Sequence, residues 1–408
     1  MTVLSQITRV LKEVQVKKKT RFSDTSKKML TNLFQKMRNA DQDWANDIRV
    51  EKIDFTKGAF PRGKDFHYWP TAIKQEITHL STQAYQFRFK IRGHHLFVCM
   101  VFPPSKTHAE INRFIKSAVH RIYLWYSMAF AYNPGHCAQT LNIYLYLTDM
   151  KKELPRTKDH AIQQINVNTG ITTSCSPVVE IHLFREEEWF KVLIHESFHC
   201  LGLDFSEFDF KASNAAILSM FPVKSDVRVF ETYCEMWAEI LNIMMIVFLK
   251  RSKSTNFNNI DSLITKVEHM VDLENKWSLF QCAKVLDYYG LSYTELYESS
   301  DKAHLKRQLR YKEDTHVLSY YILKSIFMYF ADDFVSWCAD HNHGSINFNK
   351  GSGNHVSAYC DFIRQRHRDP GYLAIAEQLD GWFSEHTNES TNDLNPILNT
   401  LRMTVYEM

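Results

Sequence analysis

His195-Glu196-Ser197-Phe198-His199 places two imidazoles and a carboxylate within five residues of a 408-residue chain. On a helix, positions i and i+4 share one face, so both rings can bind one Zn²⁺. Glu196, beside the first histidine, can reach a water on that metal. Zinc lowers the pKa of such a water towards about 7, and a neighbouring glutamate can take the proton. A catalytic zinc needs a third protein ligand and leaves one position open, with about one ion per chain for a mononuclear site.

Two segments compete for the third ligand. The pattern HExxHxxGxxH fits from His195 through Gly202, but its last position is Phe205, which binds no metal. Asp204 lies one residue early and is the weaker choice. Downstream, Phe230-Glu231-Thr232-Tyr233-Cys234-Glu235-Met236-Trp237-Ala238-Glu239 carries three acids at i, i+4 and i+8. They share a helical face bordered by Phe230, Trp237 and Ile240, a setting unlike a solvated row of charge.

HExxH followed by a helical ExxxD/E resembles the gluzincin class of zinc metallopeptidases. The resemblance implies that Glu231 binds the metal and that Glu235 orients a histidine ligand through a hydrogen bond. Glu235 stands where a shorter Asp or Asn is usual, so it stays open as the alternative ligand. A wider stretch, from Asn168-Thr169-Gly170 through Glu180-Ile181-His182-Leu183-Phe184-Arg185 to His199-Cys200-Leu201-Gly202-Leu203-Asp204-Phe205, is similar to metallopeptidases assigned to nucleocytoplasmic large DNA viruses. Thr315 to Lys324 and the closing Leu401-Arg402-Met403-Thr404 share that similarity. It implies a polypeptide substrate, and a virion or host-cytoplasm setting if the chain is viral. Peptide hydrolysis also needs a donor for the oxyanion. His316 and Tyr320, at i and i+4, are the candidates, against ordinary core roles for both. In zinc peptidases an edge strand holds an extended substrate, and Val178–Phe184 is read as that strand. Two other functions stay open: a structural or virion-associated protein with a zincin fold, and a zinc hydrolase of a non-peptide amide.

The elements that must carry these residues are legible from periodicity. Gln86–Ile91 and His95–Phe102 flank Arg92-Gly93-His94 and predict a β-hairpin. Residues 108–131 have helical spacing, Leu141–Leu147 and Val178–Phe184 read as strands, and Arg185–Cys200 as the HExxH helix. Glu186, Glu187 and Glu188 would occupy its first turn, where the dipole favours anions, and Gly202 its C-terminal cap. Helices are predicted over 226–250, 258–272, 276–288, 315–338 and 355–379. The expected fold is α+β and zincin-like: a small mixed sheet with the active-site helix, plus a helical C-terminal subdomain. Its divisions are 1–45, a helical charged leader; 46–212, the α+β half carrying HExxH; and 213–408, the helical half carrying the third ligand.

Composition narrows the remainder. Hydrophobic residues are 45% and charged residues 23%, which suits a chain with a substantial core. A formal charge of +3 gives no electrostatic case for nucleic acid. The basic run Lys17-Lys18-Lys19-Thr20-Arg21 reads as a solvated flank. Eight cysteines are spread without a CxxC pair. With no signal-like start and no eighteen-residue apolar stretch, no membrane segment is expected, and an intracellular, reducing location is expected over secretion.

Overall fold

The computed structural model describes residues 7–9, 11–12, 16, 18–44, 50–53, 62–80, 83–133, 135–158, 160–251, 259–351, 354–386 and 395–407. It is a mixed α+β protein with one open mixed sheet. The sheet has six strands, β1 (Val50–Ile53), β2 (Gln83–Ile91), β3 (His94–Phe102), β4 (Thr140–Tyr146), β5 (Gly170–Thr172) and β6 (Val178–Leu183), in the order β1-β2-β3-β4-β6-β5. β3, β4 and β6 run parallel to one another, while β1 joins β2, β2 joins β3 and β5 joins β6 antiparallel. The predicted hairpin closes through Arg92 (φ 49°) and Gly93 (φ 90°). Two positive φ values make the tight turn whose twist matches paired strands.

Alternation along the strands buries both faces. Val98, Met100, Ile143, Leu145, Ile181 and Leu183 point into the main core, shared with His108–Ala129 and the HExxH helix, Trp189–Cys200. The other face carries Ala84, Cys99, Val101, Tyr146 and Phe184, covered by Phe66, Trp69, Ile73 and Ile77. One continuous apolar core takes residues from all three predicted divisions of the chain. The helix Asp24–Gln42 contributes Met29, Leu30, Leu33, Phe34 and Met37.

Several expectations need correction. Val178–Phe184 is not an edge: β6 lies between β4 and β5, and the edge beside the site is the short β5. The HExxH helix begins at Trp189, so Glu186–Glu188 precede its first turn. Glu188, at φ 60°, turns its carboxylate inward to the backbone N–H groups of Met403 and Thr404 at 2.7 and 2.6 Å. A partner 215 residues away overrides the local helix signal. The helices predicted over 258–272 and 276–288 are one, Ile260–Tyr289, while 355–379 divides into Asn354–Arg366 and Pro370–His386. The basic run is not wholly solvated: Thr20 donates its N–H to Asp272 at 2.6 Å, and Arg21 pairs with Glu268 at 3.2 Å. Lys17 lies outside the described residues. Cys137 and Cys175, 38 residues apart, form a disulfide that their spacing did not announce.

Val229–Leu249 is long and apolar enough to cross a membrane by length and composition, but 94% of its most apolar window is buried within this fold. Its apolarity has an internal cause, since it is packed on every side.

Gly202 ends the HExxH helix as the sequence predicted. Its φ is 63°, its N–H bonds to His199 O at 3.1 Å, and Leu203 N–H bonds to Phe198 O at 2.8 Å. This double closure satisfies the last carbonyls. An added Cβ would meet Cys137 Sγ at 3.1 Å. Gly202→Ala is expected to cost about 1–2 kcal/mol from the left-handed backbone alone. Urea denaturation measures it, and unchanged stability would contradict this assignment of the cap.

Candidate metal centre

The helix Trp189–Cys200 is held by its back face. Ser197 Oγ donates to Leu193 O at 2.6 Å and meets Trp125 Nε1 at 3.0 Å and Tyr126 OH at 2.8 Å. That buried network fixes the helix's rotation against His108–Ala129. His195, Glu196 and His199 consequently face the opposite way, towards the start of Val229–Leu249.

There the side chains converge. His195 Nε2 and His199 Nε2 are 3.1 Å apart, and Glu231 Oε2 lies 3.1 Å from the first and 3.5 Å from the second. His199 Nδ1 meets Asp204 Oδ2 at 2.5 Å. His195 Nδ1 is 3.1 Å from Glu235 Oε1, within ion-pair distance though off the line of a straight hydrogen bond. A carboxylate on each Nδ1 favours the tautomer whose Nε2 lone pair is free for a metal. Two such lone pairs and a third carboxylate, gathered in one largely buried cluster, offer a place for a positive charge between them. His195, His199 and Glu231 could hold a metal ion.

The two glutamates therefore differ in position. Glu231 shares the imidazole Nε2 atoms, while Glu235 sits behind His195 and pairs with Lys191, and more distantly with Lys324 at 3.8 Å. Lys324 binds Glu239 at 2.7 Å and Met403 O at 2.8 Å. All of these charged side chains are at most 9% exposed. Asp204, weighed as a ligand from sequence, instead orients His199. A second overlapping group, His199, Asp204 and Cys234, also brings metal-ligating atoms together.

Tyr320 and His316 lie on the same cavity, about 630 Å³, with Gly170, Glu196 and Arg228 among its other walls. Tyr320 OH donates to Glu231 Oε2 at 3.1 Å. Here the predicted 315–338 helix is irregular: Leu318–Leu323 is π-helical, followed by Lys324–Tyr329 and Ala331–His341. π-turns inside helices often mark functional sites. Burial and the neighbouring Glu231 hold the Tyr320 hydroxyl well above its usual pKa, so it stays a donor. Burial lowers His316, leaving it neutral near pH 7. Gly170 on β5 packs over Glu196, and an added Cβ would lie 3.1 Å from Glu196 Cγ.

Sequence reading missed Ser197, Lys191 and Lys324. Nothing local marks them, since each acts through a partner distant in sequence.

No protein-family model, curated protein or solved structure matches the chain.

Burial raises Glu196, with His195 and His199 opposing. Burial would lower the pKa of His199, but Cys234, Glu231 and Asp204 outweigh it and raise the value well above normal. For His195, its contacts with Glu231 and Glu235 likewise win over burial. Protons and metal compete for the same Nε2 lone pairs. With both pKa values raised, affinity for metal is expected to fall with decreasing pH beginning above the usual imidazole value of about 6.5. Chelator competition across pH measures this, and an affinity that stays flat down to about pH 6 would contradict it. At fixed pH, Glu231→Ala is expected to lose the metal, while Glu235→Ala weakens it by about 10- to 100-fold. The reverse order would move the ligand one turn along the helix.

Proposed function

We propose that the protein is a zinc-dependent metallopeptidase of zincin-like architecture, hydrolysing peptide bonds with His195, His199 and Glu231 as ligands and Glu196 as general base. The observation that carries this reading is the meeting of both Nε2 atoms with Glu231 in a cavity that also holds Glu196. The donor set, two imidazoles and one carboxylate, is one that zinc favours in catalytic sites. When bound there, zinc supplies Lewis acidity towards a carbonyl oxygen and makes water a nucleophile at neutral pH.

The chain's own residues supply the rest. Glu196, its pKa raised by burial, takes a proton from the attacking water and passes it to the leaving amine. Tyr320, and His316 beside it, can turn N–H or O–H donors to the developing oxyanion. Tyr320 gives up its bond to Glu231 in doing so. The outer edge of β5, unpaired among the described residues, offers backbone groups to an extended chain, which suits a polypeptide better than a compact amide. Asp204 and Glu235 hold the imidazoles in register.

Purified protein loaded with Zn²⁺ and given a peptide library is expected to cleave it. Glu196→Gln is expected to retain the metal and lose about 10²–10⁴-fold in rate, with Tyr320→Phe lowering kcat more than it alters KM. Undiminished cleavage by Glu196→Gln would remove Glu196 from proton transfer. A zinc-loaded protein inert towards every peptide would contradict the peptidase reading.

A further inference from the structure

Cys137 and Cys175 are joined as a disulfide, while the other six cysteines are buried free thiols. The strands set where the pair meets. Each cysteine lies three residues ahead of a strand, Cys137 before Thr140 of β4 and Cys175 before Val178 of β6. Thr140 and Val178 are partners in the parallel register. Backbone bonds carry that pairing into the loops: Ala138 N–H donates to Ser176 O at 2.7 Å, and Thr140 N–H to Pro177 O at 2.9 Å. On the near side, the Cys137 carbonyl accepts from Asn133 Nδ2 at 2.8 Å. None of these bonds involves sulfur. The two thiols of a reduced pair therefore stay side by side.

His136 adds a third donor. One of its ring nitrogens and both sulfurs lie within 4.8 Å of one another. His136 is exposed, Cys175 half-buried and Cys137 buried, so the group opens to solvent on one side. Two thiolates and an imidazole with a fourth position open form a donor set that zinc takes in proteins. Thiolates also select zinc over hard cations such as magnesium or calcium.

We infer that His136, Cys137 and Cys175 form a second zinc site, which the disulfide closes and a thiol reductant opens. A small thiolate attacks Cys175, the less buried of the two, and breaks the S–S bond, so that Cys137 leaves and takes up a proton. A second thiolate attacks the reductant's sulfur in the mixed disulfide and frees Cys175. In balance, the protein disulfide and two reductant thiols become two protein thiols and the reductant's own disulfide. Zn²⁺ then displaces one proton from each cysteine and is held by both thiolates and His136. Disulfide or ion, the link ties the loop after β5 to the loop before β4. That junction packs on the cap of the HExxH helix, the two sulfurs lying 3.1 and 3.7 Å from where a Cβ on Gly202 would stand. The assignment shares no residue with the centre of His195, His199 and Glu231 and does not rest on the peptidase reading.

The test titrates Co²⁺, whose charge-transfer absorption reports thiolate ligation, into metal-free native protein in two states. One is oxidised; the other is reduced with a phosphine that is then removed under nitrogen. Reduction is expected to add about one bound Co²⁺ per chain, with new thiolate-to-metal absorption that Zn²⁺ abolishes. Cys234 is a free thiol in both states, so a signal from it is already present in the oxidised protein. The gain alone reports Cys137 and Cys175. Cys175→Ser is expected to show no gain after reduction. His136→Ala is expected to weaken the added ion by at least about tenfold, the lower end of what losing even a residue that only orients a ligand costs. No added Co²⁺ on reduction, or a gain that survives Cys175→Ser, would overturn the site. An affinity unmoved by His136→Ala would overturn the three-residue assignment.

Discussion

The structure depends on bringing Glu231 against two imidazoles inside the protein. A carboxylate taken out of water is costly unless a positive charge and hydrogen bonds meet it. Burial alone would raise the Glu231 pKa, yet the facing histidines hold it well below the usual range. Cys234, the same Glu231 and Asp204 together raise His199 against its burial. Each group is tolerable only because the others are present. A metal ion held by His195, His199 and Glu231 would meet all three side chains at once where a proton meets two.

Much of the surrounding fold answers the further charges that this arrangement requires. Glu235 behind His195 is matched by Lys191 and Lys324. Lys324 is matched by Glu239, and Lys152 by Glu188 at 2.5 Å. The segment Arg402–Tyr406 closes the cluster with backbone groups: Met403 O takes Lys324, while Val405 and Tyr406 donate to Glu274 at 2.9 and 3.1 Å. Removing one partner of such a buried pair typically costs about 3–5 kcal/mol. Stability and site geometry are thus linked through shared side chains. The apolar helix Val229–Leu249 is the surface on which both are mounted.

The residues of the candidate metal centre were legible because their signal is local. HExxH needs only helical spacing, Gly202 only its place after the last turn, and Glu231 with Glu235 only a common helical face. Tyr320 and His316 were legible as a pair, and the structure puts both on the cavity. What sequence could not give depends on contacts between distant segments. Asp204 looked like a failed ligand because its service to His199 Nδ1 depends on the chain turning back after Gly202. Val178–Phe184 looked like an edge because β5, only three residues long, is too short to announce itself. Glu186–Glu188 matched a helix start, but Glu188 is claimed by the backbone of Met403 and Thr404. The disulfide joins cysteines in two loops whose approach is set by the sheet.

X-ray absorption at the zinc edge of the loaded protein tests the central claim most directly. The account expects only nitrogen and oxygen neighbours, two imidazoles and a carboxylate with a solvent oxygen, at about 2.0–2.2 Å. A sulfur neighbour at about 2.3 Å would place the ion with Cys234, Asp204 and His199 instead and would contradict the assignment of His195 and Glu231 as ligands.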